Sequence, residues 1–353
     1  MVLPLSRRPG ALRVLFAIPG EARGSSMIFA RRQAESLGRE GVEVELFHLR
    51  SRTSPRELAR EWRRFRQCMH SINPDVIHAH FGTVTALFAA LAAPRTPLVI
   101  TFRGSDLNAC RPRAGLAMRV RAAAGQLLSQ LAALRAGKIV CVSLQLRARL
   151  WWRRGIAVVL PSGVDAEVFR PEPRWRARER LGWNHADRVV LFNAGHNPEI
   201  KRLDLARHAL ALTQALVVGV RMEVLDGWTS PAEMPGLLNA ADCLLLTSDR
   251  EGSPTVIQEA LACNLPVVSV AAGDTVERLQ GVRYSAIVAR EAAAIAAALA
   301  RVLREPRRSN GRRKVREFSA QRIAGELRRI YLELAAEPGA APSKKSAWNT
   351  SHY

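Results

Sequence analysis

Between Ser248 and Ala260 the chain reads Ser-Asp-Arg-Glu-Gly-Ser-Pro-Thr-Val-Ile-Gln-Glu-Ala, directly after the apolar run from Cys243 to Leu246. Ser253 is a good helix N-cap and Pro254 suits the first helical position, so the spacing predicts a helix from there to about Cys263. Asn264 tolerates the left-handed conformation and would end it. A helix that opens just after a strand, with small residues at its start, offers N–H groups and the positive end of its dipole to an anion such as a phosphate. Glu251 precedes this helix and Glu259 lies one turn beyond Thr255, so both carboxylates can face one cleft. Carboxylates only accept hydrogen bonds, which suits the vicinal hydroxyls of a sugar. The same two residues also read as solvated helix charges or partners of the N-terminal dipole. The segment alone leaves both readings open.

Other chemistry-bearing residues point less clearly. The five cysteines (Cys68, Cys110, Cys141, Cys243, Cys263) stand far apart, mostly in apolar company, and form no Cys-x-x-Cys pair; buried reduced thiols are expected. The eight histidines form no His-Glu-x-x-His pattern and no Asp-x-Asp pair accompanies them, so no metal and no cofactor is expected. A Gly/Ser loop, Gly20 to Ser26 with Gly24 inside it, follows the first apolar strand. Its glycines would let backbone approach an anion closely, although it lacks a Gly-x-Gly-x-x-Gly spacing and also reads as an ordinary strand-to-helix turn.

The elements that must carry these residues alternate regularly. Strand-length apolar runs at Val14 to Ile18, Val42 to Leu49, Val76 to Ala79, Leu98 to Phe102 and Ile139 to Val142 are separated by segments of helical period. A second series follows at Arg188 to Phe192, Met222 to Leu225, Cys243 to Leu246 and Val267 to Val270. Two successive series of this kind predict an α/β protein of two Rossmann-like domains facing one another, with ligands at the carboxyl ends of the strands. The turn-rich stretch Leu160 to Asp165 lies between them. The expected division is 1–165 for the first domain, completed by a terminal helix over 319–335, then 166–318 for the second, with 336–353 as a flexible tail. The terminal helix, read from Glu317 to Leu334, carries Ile323, Leu327, Ile330 and Leu334 on one face. A length of 353 residues with 48% apolar and 24% charged side chains fits two such domains and excludes a disordered or fibrous chain. No run is long enough for a bilayer-spanning helix, and the first 25 residues lack the apolar core of a secretion signal, so a cytoplasmic protein is expected.

The motifs, taken in order, resemble family 4 of the retaining glycosyltransferases, which have the GT-B fold. Glu251 to Glu259 is similar to the family's Glu-x7-Glu signature. Pro74 to His80 resembles its Pro-Asp-Val-Val-His-Ala-His strand, and Thr101 to Asp106 its Thr-x-His-Gly-Ser-Asp turn. Val140 to Ser143, Leu160 to Asp165 with Phe169 to Pro171, and Asn239 to Asp242 resemble three further motifs. The likeness runs along nearly the whole chain. It implies transfer of a hexosyl group from a nucleoside diphosphate sugar, UDP- or GDP-linked, to an acceptor hydroxyl with retained configuration, without a metal. It also implies the roles. Glu251 would hold the transferred sugar and Glu259 the ribose. Gly252, Ser253, Pro254 and Thr255 would take sugar and diphosphate, Lys201 would neutralise the leaving diphosphate, and Gly24 would approach it. Arg103 stands where the family has histidine, His196 where it has arginine, and Asp106 marks the acceptor side. With His196 in that place, a catalytically inactive sugar-nucleotide or glycan-binding protein is the alternative.

Charge suggests a further partner. The formal charge is +22, and residues 1–165 hold 26 basic against 10 acidic side chains. Such a field favours a polyanion, although an Arg/Ala-rich composition also follows from a GC-rich genome. Pro55 to Ile72 predicts a basic helix with Leu58, Trp62, Phe65, Met69 and Ile72 on one face, and Leu146 to Arg154 places two tryptophans among cations. Both stretches suit an anionic membrane surface, here the inner face of the cell membrane; equally, the apolar faces could pack on the sheet. No nucleic-acid-binding module is recognisable. The acceptor, whether glycan, lipid-linked sugar or small molecule, is not encoded in these residues.

Overall fold

The computed structural model describes residues 11–21, 27–108 and 115–336. The chain forms two compact units, Met1–Leu160 with Ala324–Tyr353, and Pro161–Ile323. The break precedes the expected boundary at 165 because Val164 is tied into the second unit. Its N–H donates to Phe318 O and its carbonyl accepts from Ala320 N–H, at 3.0 and 2.8 Å.

The first unit runs β1 (Leu12–Pro19), α1 (Ile28–Arg39), β2 (Val42–Leu49), α2 (Pro55–Ile72), β3 (Val76–His80) and α3 (Thr83–Ala92). It continues with β4 (Leu98–Phe102), α4 (Leu116–Arg135), β5 (Lys138–Cys141), α5 (Leu144–Ala148) and β6 (Ala157–Val159). The six strands form one parallel sheet in the order β2-β1-β3-β4-β5-β6. β3 and β4 are buried throughout, as strands covered by helices on both faces must be.

The second unit runs α6 (Arg174–Leu181), β7 (Arg188–Gly195), α7 (Pro198–Lys201), α8 (Leu203–Gln214), β8 (Val220–Asp226) and α9 (Met234–Ala240). Then come β9 (Cys243–Leu246), α10 (Thr255–Ala262), β10 (Val267–Val270), α11 (Thr275–Leu279), β11 (Ala286–Val288) and α12 (Ala292–Arg304). Its parallel sheet has the order β11-β10-β9-β7-β8. A buried ionic knot holds its base. Arg178, 1% exposed, donates to Asp242 Oδ2 at 2.7 Å and to the carbonyls of Asn184, His185, Asp187 and Ala240. Asp242 Oδ2 also accepts from Val189 N–H, so the last residue of the Asn-Ala-Ala-Asp motif joins α6 to β7.

The last helix, α13 (Ala320–Ala336), starts three residues after the expected Glu317, which lies in a 3-10 turn. From Ala324 onward it belongs to the first unit, where Leu327, Ile330 and Tyr331 are buried. The Tyr331 hydroxyl lies 2.6 Å from His78 Nδ1, and His78 Nε2 lies 2.6 Å from Thr101 Oγ1. Residues 337–353, read as a tail, lie outside the described residues.

α2 occupies the span its sequence predicts, capped by Ser54, whose Oγ accepts from Glu57 N–H. Phe65 is fully buried, and Leu58, Trp62, Met69 and Ile72 pack against the core of the first unit. Most of its apolar face is therefore spent inside the protein. Leu58 and Trp62 also line a hollow of about 540 Å³ shared with Val84, Leu87, Phe88 and Leu91 of α3.

Candidate functional site

In open parallel sheets ligands bind outside the carboxyl ends of the strands, where consecutive strands lead off in opposite directions. In the second unit that point lies between β7 and β9, since β8 lies on the other side of β7. The loops leaving β7 and β9 carry Lys201 and Glu251. Lys201 closes the one-turn helix α7, with its N–H donating to Asn197 O at 3.1 Å. Two bonds tie this turn to the β9 loop. Asp249 N–H donates to Ile200 O at 2.9 Å, and Thr247 Oγ1 donates to Lys201 O at 2.7 Å. The result is an ion pair, with Lys201 Nζ donating to Glu251 Oε1 at 2.6 Å and side chains 26% and 14% exposed. Arg202 and Arg290 both donate to Asp249 Oδ1, at 3.3 and 3.0 Å, which adds positive charge around the same loop.

α10 begins at Thr255 with Pro254 as its N-cap, one residue later than its sequence suggests, and no side chain caps it. Ser253 is drawn elsewhere: its hydroxyl donates to Asp274 Oδ2 at 2.8 Å and accepts from Gln258 Nε2 at 2.9 Å. The helix entrance is thus left to backbone N–H groups, the arrangement that suits an anion. Gly252 is buried and packs against Gly273. A Cβ on Gly273, whose φ is +61°, would lie 2.6 Å from Gly252 O and 3.1 Å from Glu251 Cβ. Burial raises the pKa of Asp274, opposed by Arg278 and by the Ser253 hydroxyl. Glu259 lies on α10, 7% exposed. Asn264 ends the helix at φ +54°, as expected of an Asn in the left-handed region.

His196 follows β7 directly. Its ring packs so closely on Gly227 that a Cβ there would lie 2.0 Å away, and it meets the ring of Trp228 edge to face at 5.3 Å. Trp228 is 84% exposed, held at the end of β8 by Asp226 Oδ1, which accepts from Trp228 N–H at 2.9 Å.

Arg103 and Asp106 belong to the first unit, in the turn after β4. Asp106 is fully buried and accepts from the backbone N–H groups of Gly82, Arg103 and Gly104, at 3.0, 3.0 and 2.7 Å. Its oxygens accept from these amides, so it organises the two loops that carry them. The backbone it holds includes Phe81 and Thr83 at φ +99° and +54°, costly conformations for these residues. Arg103 Nη2 donates to His80 Nδ1 at 2.8 Å while its Cζ stacks 3.7 Å from the centroid of Phe29. Arginine only donates, so His80 must keep that nitrogen unprotonated. Burial, His78 and Arg103 lower the pKa of His80, in agreement. Gly24 lies outside the described residues.

Sequence reasoning brought Lys201 and Glu251 to one place but missed Thr247, Asp249, Gly273 and Asp274, which position them. Only Gly273 left a trace, as a glycine before a short helix. Among the described residues no three His, Cys, Asp or Glu side chains are grouped to hold a metal.

Both units match known folds. Sucrose-phosphate synthase of Thermosynechococcus elongatus superposes with a TM-score of 0.72 at 18% identity, covering 92% of this chain and 99% of that one. HepE of Anabaena, solved with UDP and glucose, gives 0.68 at 18% identity over 91% and 100%. The fold is therefore GT-B, two Rossmann-like α/β domains. Residues 22–168 match the profile "Glycosyltransferase Family 4" and residues 179–305 match "Glycosyl transferases group 1". This chain belongs to glycosyltransferase family 4. TuaC of Bacillus subtilis, assigned to teichuronic acid biosynthesis, is 27% identical over 246 residues, 65% of this chain. The match spans 61% of TuaC's length.

Proposed function

We propose that this protein transfers a hexosyl group from a nucleoside diphosphate sugar, UDP- or GDP-linked, to an acceptor hydroxyl with retention of configuration. The observation that carries this reading is the Lys201–Glu251 pair at 2.6 Å beside the uncapped entrance of α10. A diphosphate at that entrance would meet the N–H groups of Gly252, Ser253 and Thr255 and the Lys201 ammonium, which would stabilise charge as the glycosidic bond breaks. Glu251, relieved of part of its pairing, would accept hydrogen bonds from the sugar, and Glu259 from the ribose. Arg103, held by His80 and Phe29, is the further catalytic residue that the family resemblance implies. Retention would follow from attack on the same face, with a leaving phosphate oxygen taking the acceptor's proton; no metal is needed for these steps. TuaC's assignment supports a product in cell-surface polysaccharide or glycolipid, and HepE's UDP and glucose support a UDP-linked donor. The same reading takes the reaction to be cytoplasmic.

The test is a melting-temperature screen of UDP, GDP and their sugars, followed by release of nucleoside diphosphate from the donor that binds. Loss of nucleotide binding in a folded Lys201→Ala variant, and loss of turnover in both folded Lys201→Ala and Glu251→Ala variants, are expected. A protein stabilised by none of these ligands contradicts the reading. Binding without turnover would favour the glycan- or nucleotide-binding alternative, to which the docking of His196 against Gly227 gives some support.

A further inference from the structure

His196 and Trp228 are the part of the second unit that a diphosphate at Lys201 leaves unused. All strands of that sheet run parallel, so the loops that leave them share the carboxyl edge. In the order β9-β7-β8 these loops carry Glu251 with Gly252, then His196 with Lys201, then Trp228. Neighbouring strands lie about 4.8 Å apart, so the end of β8 stands roughly 10 Å from the end of β9. A nucleoside extending from a diphosphate at Lys201 and the α10 entrance, and laid along this edge, brings its base to Trp228.

Trp228 is 84% exposed, more than any other aromatic side chain among the described residues. The turn that carries it is fixed. Asp226 Oδ1 accepts from Trp228 N–H at 2.9 Å and from Thr229 N–H at 3.1 Å. Gly195 of β7 pairs in register with Asp226 of β8, which sets His196 beside Gly227. The His196 ring fills the space over Gly227, where a Cβ would lie 2.0 Å from it, and meets the Trp228 ring at 84° with centroids 5.3 Å apart. An edge-to-face neighbour of this kind sets the tilt of the indole and leaves most of its surface in water, where a flat apolar partner can cover it.

We propose that Trp228, propped by His196, is the platform on which the nucleobase of the donor stacks. The inference rests on the nucleotide-sugar reading and adds to it the group that holds the base. Every base has a π-face, so such a platform strengthens binding without choosing uracil over guanine. His196 is then a positioning residue that touches the indole and not the phosphates. That role uses an aromatic ring where the family resemblance has an arginine.

The experiment is calorimetric titration of inorganic pyrophosphate, UDP and GDP into wild type, Trp228→Ala, Trp228→Phe, His196→Ala, His196→Phe and the double alanine variant. Trp228→Ala should weaken UDP and GDP by about 5- to 150-fold and leave pyrophosphate unchanged. Trp228→Phe keeps a π-face and should recover most of that loss. His196→Ala should cost part of it and add nothing in the double variant, since it acts through the indole. His196→Phe keeps an aromatic edge without a ring nitrogen and should bind all three ligands as wild type does. UDP and GDP, but not pyrophosphate, should quench tryptophan fluorescence in wild type and not in Trp228→Phe. Both side chains are exposed, so the variants should keep the wild-type melting temperature. If Trp228→Ala binds UDP and GDP like wild type, or weakens pyrophosphate equally, the proposal is overturned and the diphosphate site stands. Loss of pyrophosphate in His196→Phe makes His196 a phosphate ligand and overturns its role as a prop. Wild type that binds none of the three ligands overturns this proposal and the transferase reading together.

Discussion

Glu251→Gln is the most informative single change at the Lys201 site, because the two readings of Glu251 predict opposite results for nucleotide affinity. Without ligand the Lys201 ammonium is held at 2.6 Å by Glu251, in a pair 26% and 14% exposed. Two charges about 4 Å apart at an effective dielectric near 20 attract by roughly 4 kcal/mol, most of which desolvation offsets. A half-buried pair of this kind is worth a net of about 1–2 kcal/mol. A diphosphate arriving at Lys201 must share that cation and sit beside a carboxylate. Removing the carboxylate's charge should therefore tighten UDP or GDP binding by about 5- to 30-fold. The same change removes a charged acceptor from the sugar's hydroxyls, at about 1.5–3 kcal/mol, so kcat/KM for the donor sugar should fall roughly 10- to 200-fold. Calorimetric titration of UDP and GDP into wild type, Glu251→Gln, Lys201→Met and the double variant closes a double-mutant cycle. If Glu251→Gln binds the diphosphate no better than wild type, Lys201 is not the group that takes it and the reasoning fails.

Two further outcomes follow from the geometry. Gly273→Ala places a Cβ 2.6 Å from Gly252 O at a φ of +61°, so it should lose about 2–4 kcal/mol in denaturant unfolding and displace Glu251 as well; an unfolding midpoint equal to wild type would refute the packing described. His78 and His80 are fully buried, and burial lowers both pKa values well below 6.5. Because the unfolded chain takes up protons first, their contribution is complete above 6.5 and is lost as pH falls below it, by up to about 1.4 kcal/mol per pH unit for each ring. Stability measured from pH 7.5 to 5 should decline below 6.5 and do so less in a His80→Gln variant; a flat profile contradicts neutral burial of the two rings.

Much of this protein is visible in local patterns. α2 has the limits that Ser54, Pro55 and the spacing from Leu58 to Ile72 predict, and Asn264 ends α10 as an Asn should. Most strands fall within a few residues of the apolar runs that mark them, since a buried parallel strand must be apolar on both faces. The start of α10 shows where local reading stops. Ser253 has the right chemistry to cap the helix, yet Asp274, 21 residues on, offers its hydroxyl a charged acceptor, and the helix opens at Thr255 without a side-chain cap.

Residue types and short spacings were enough to announce two series of alternating strands and helices, the helix beyond β9, and the carboxylates and lysine near it. These features arise from backbone preferences and burial periodicity, which act over a few residues. Distant contacts settled the rest: Asp106 spent on three amides, Tyr331 bonded to His78 across 253 positions, and Lys201 already gripped by Glu251. Each depends on which side chains the two parallel sheets bring within 3 Å, and hydrogen bonds and ion pairs are too short-ranged and directional for a linear pattern to assign them.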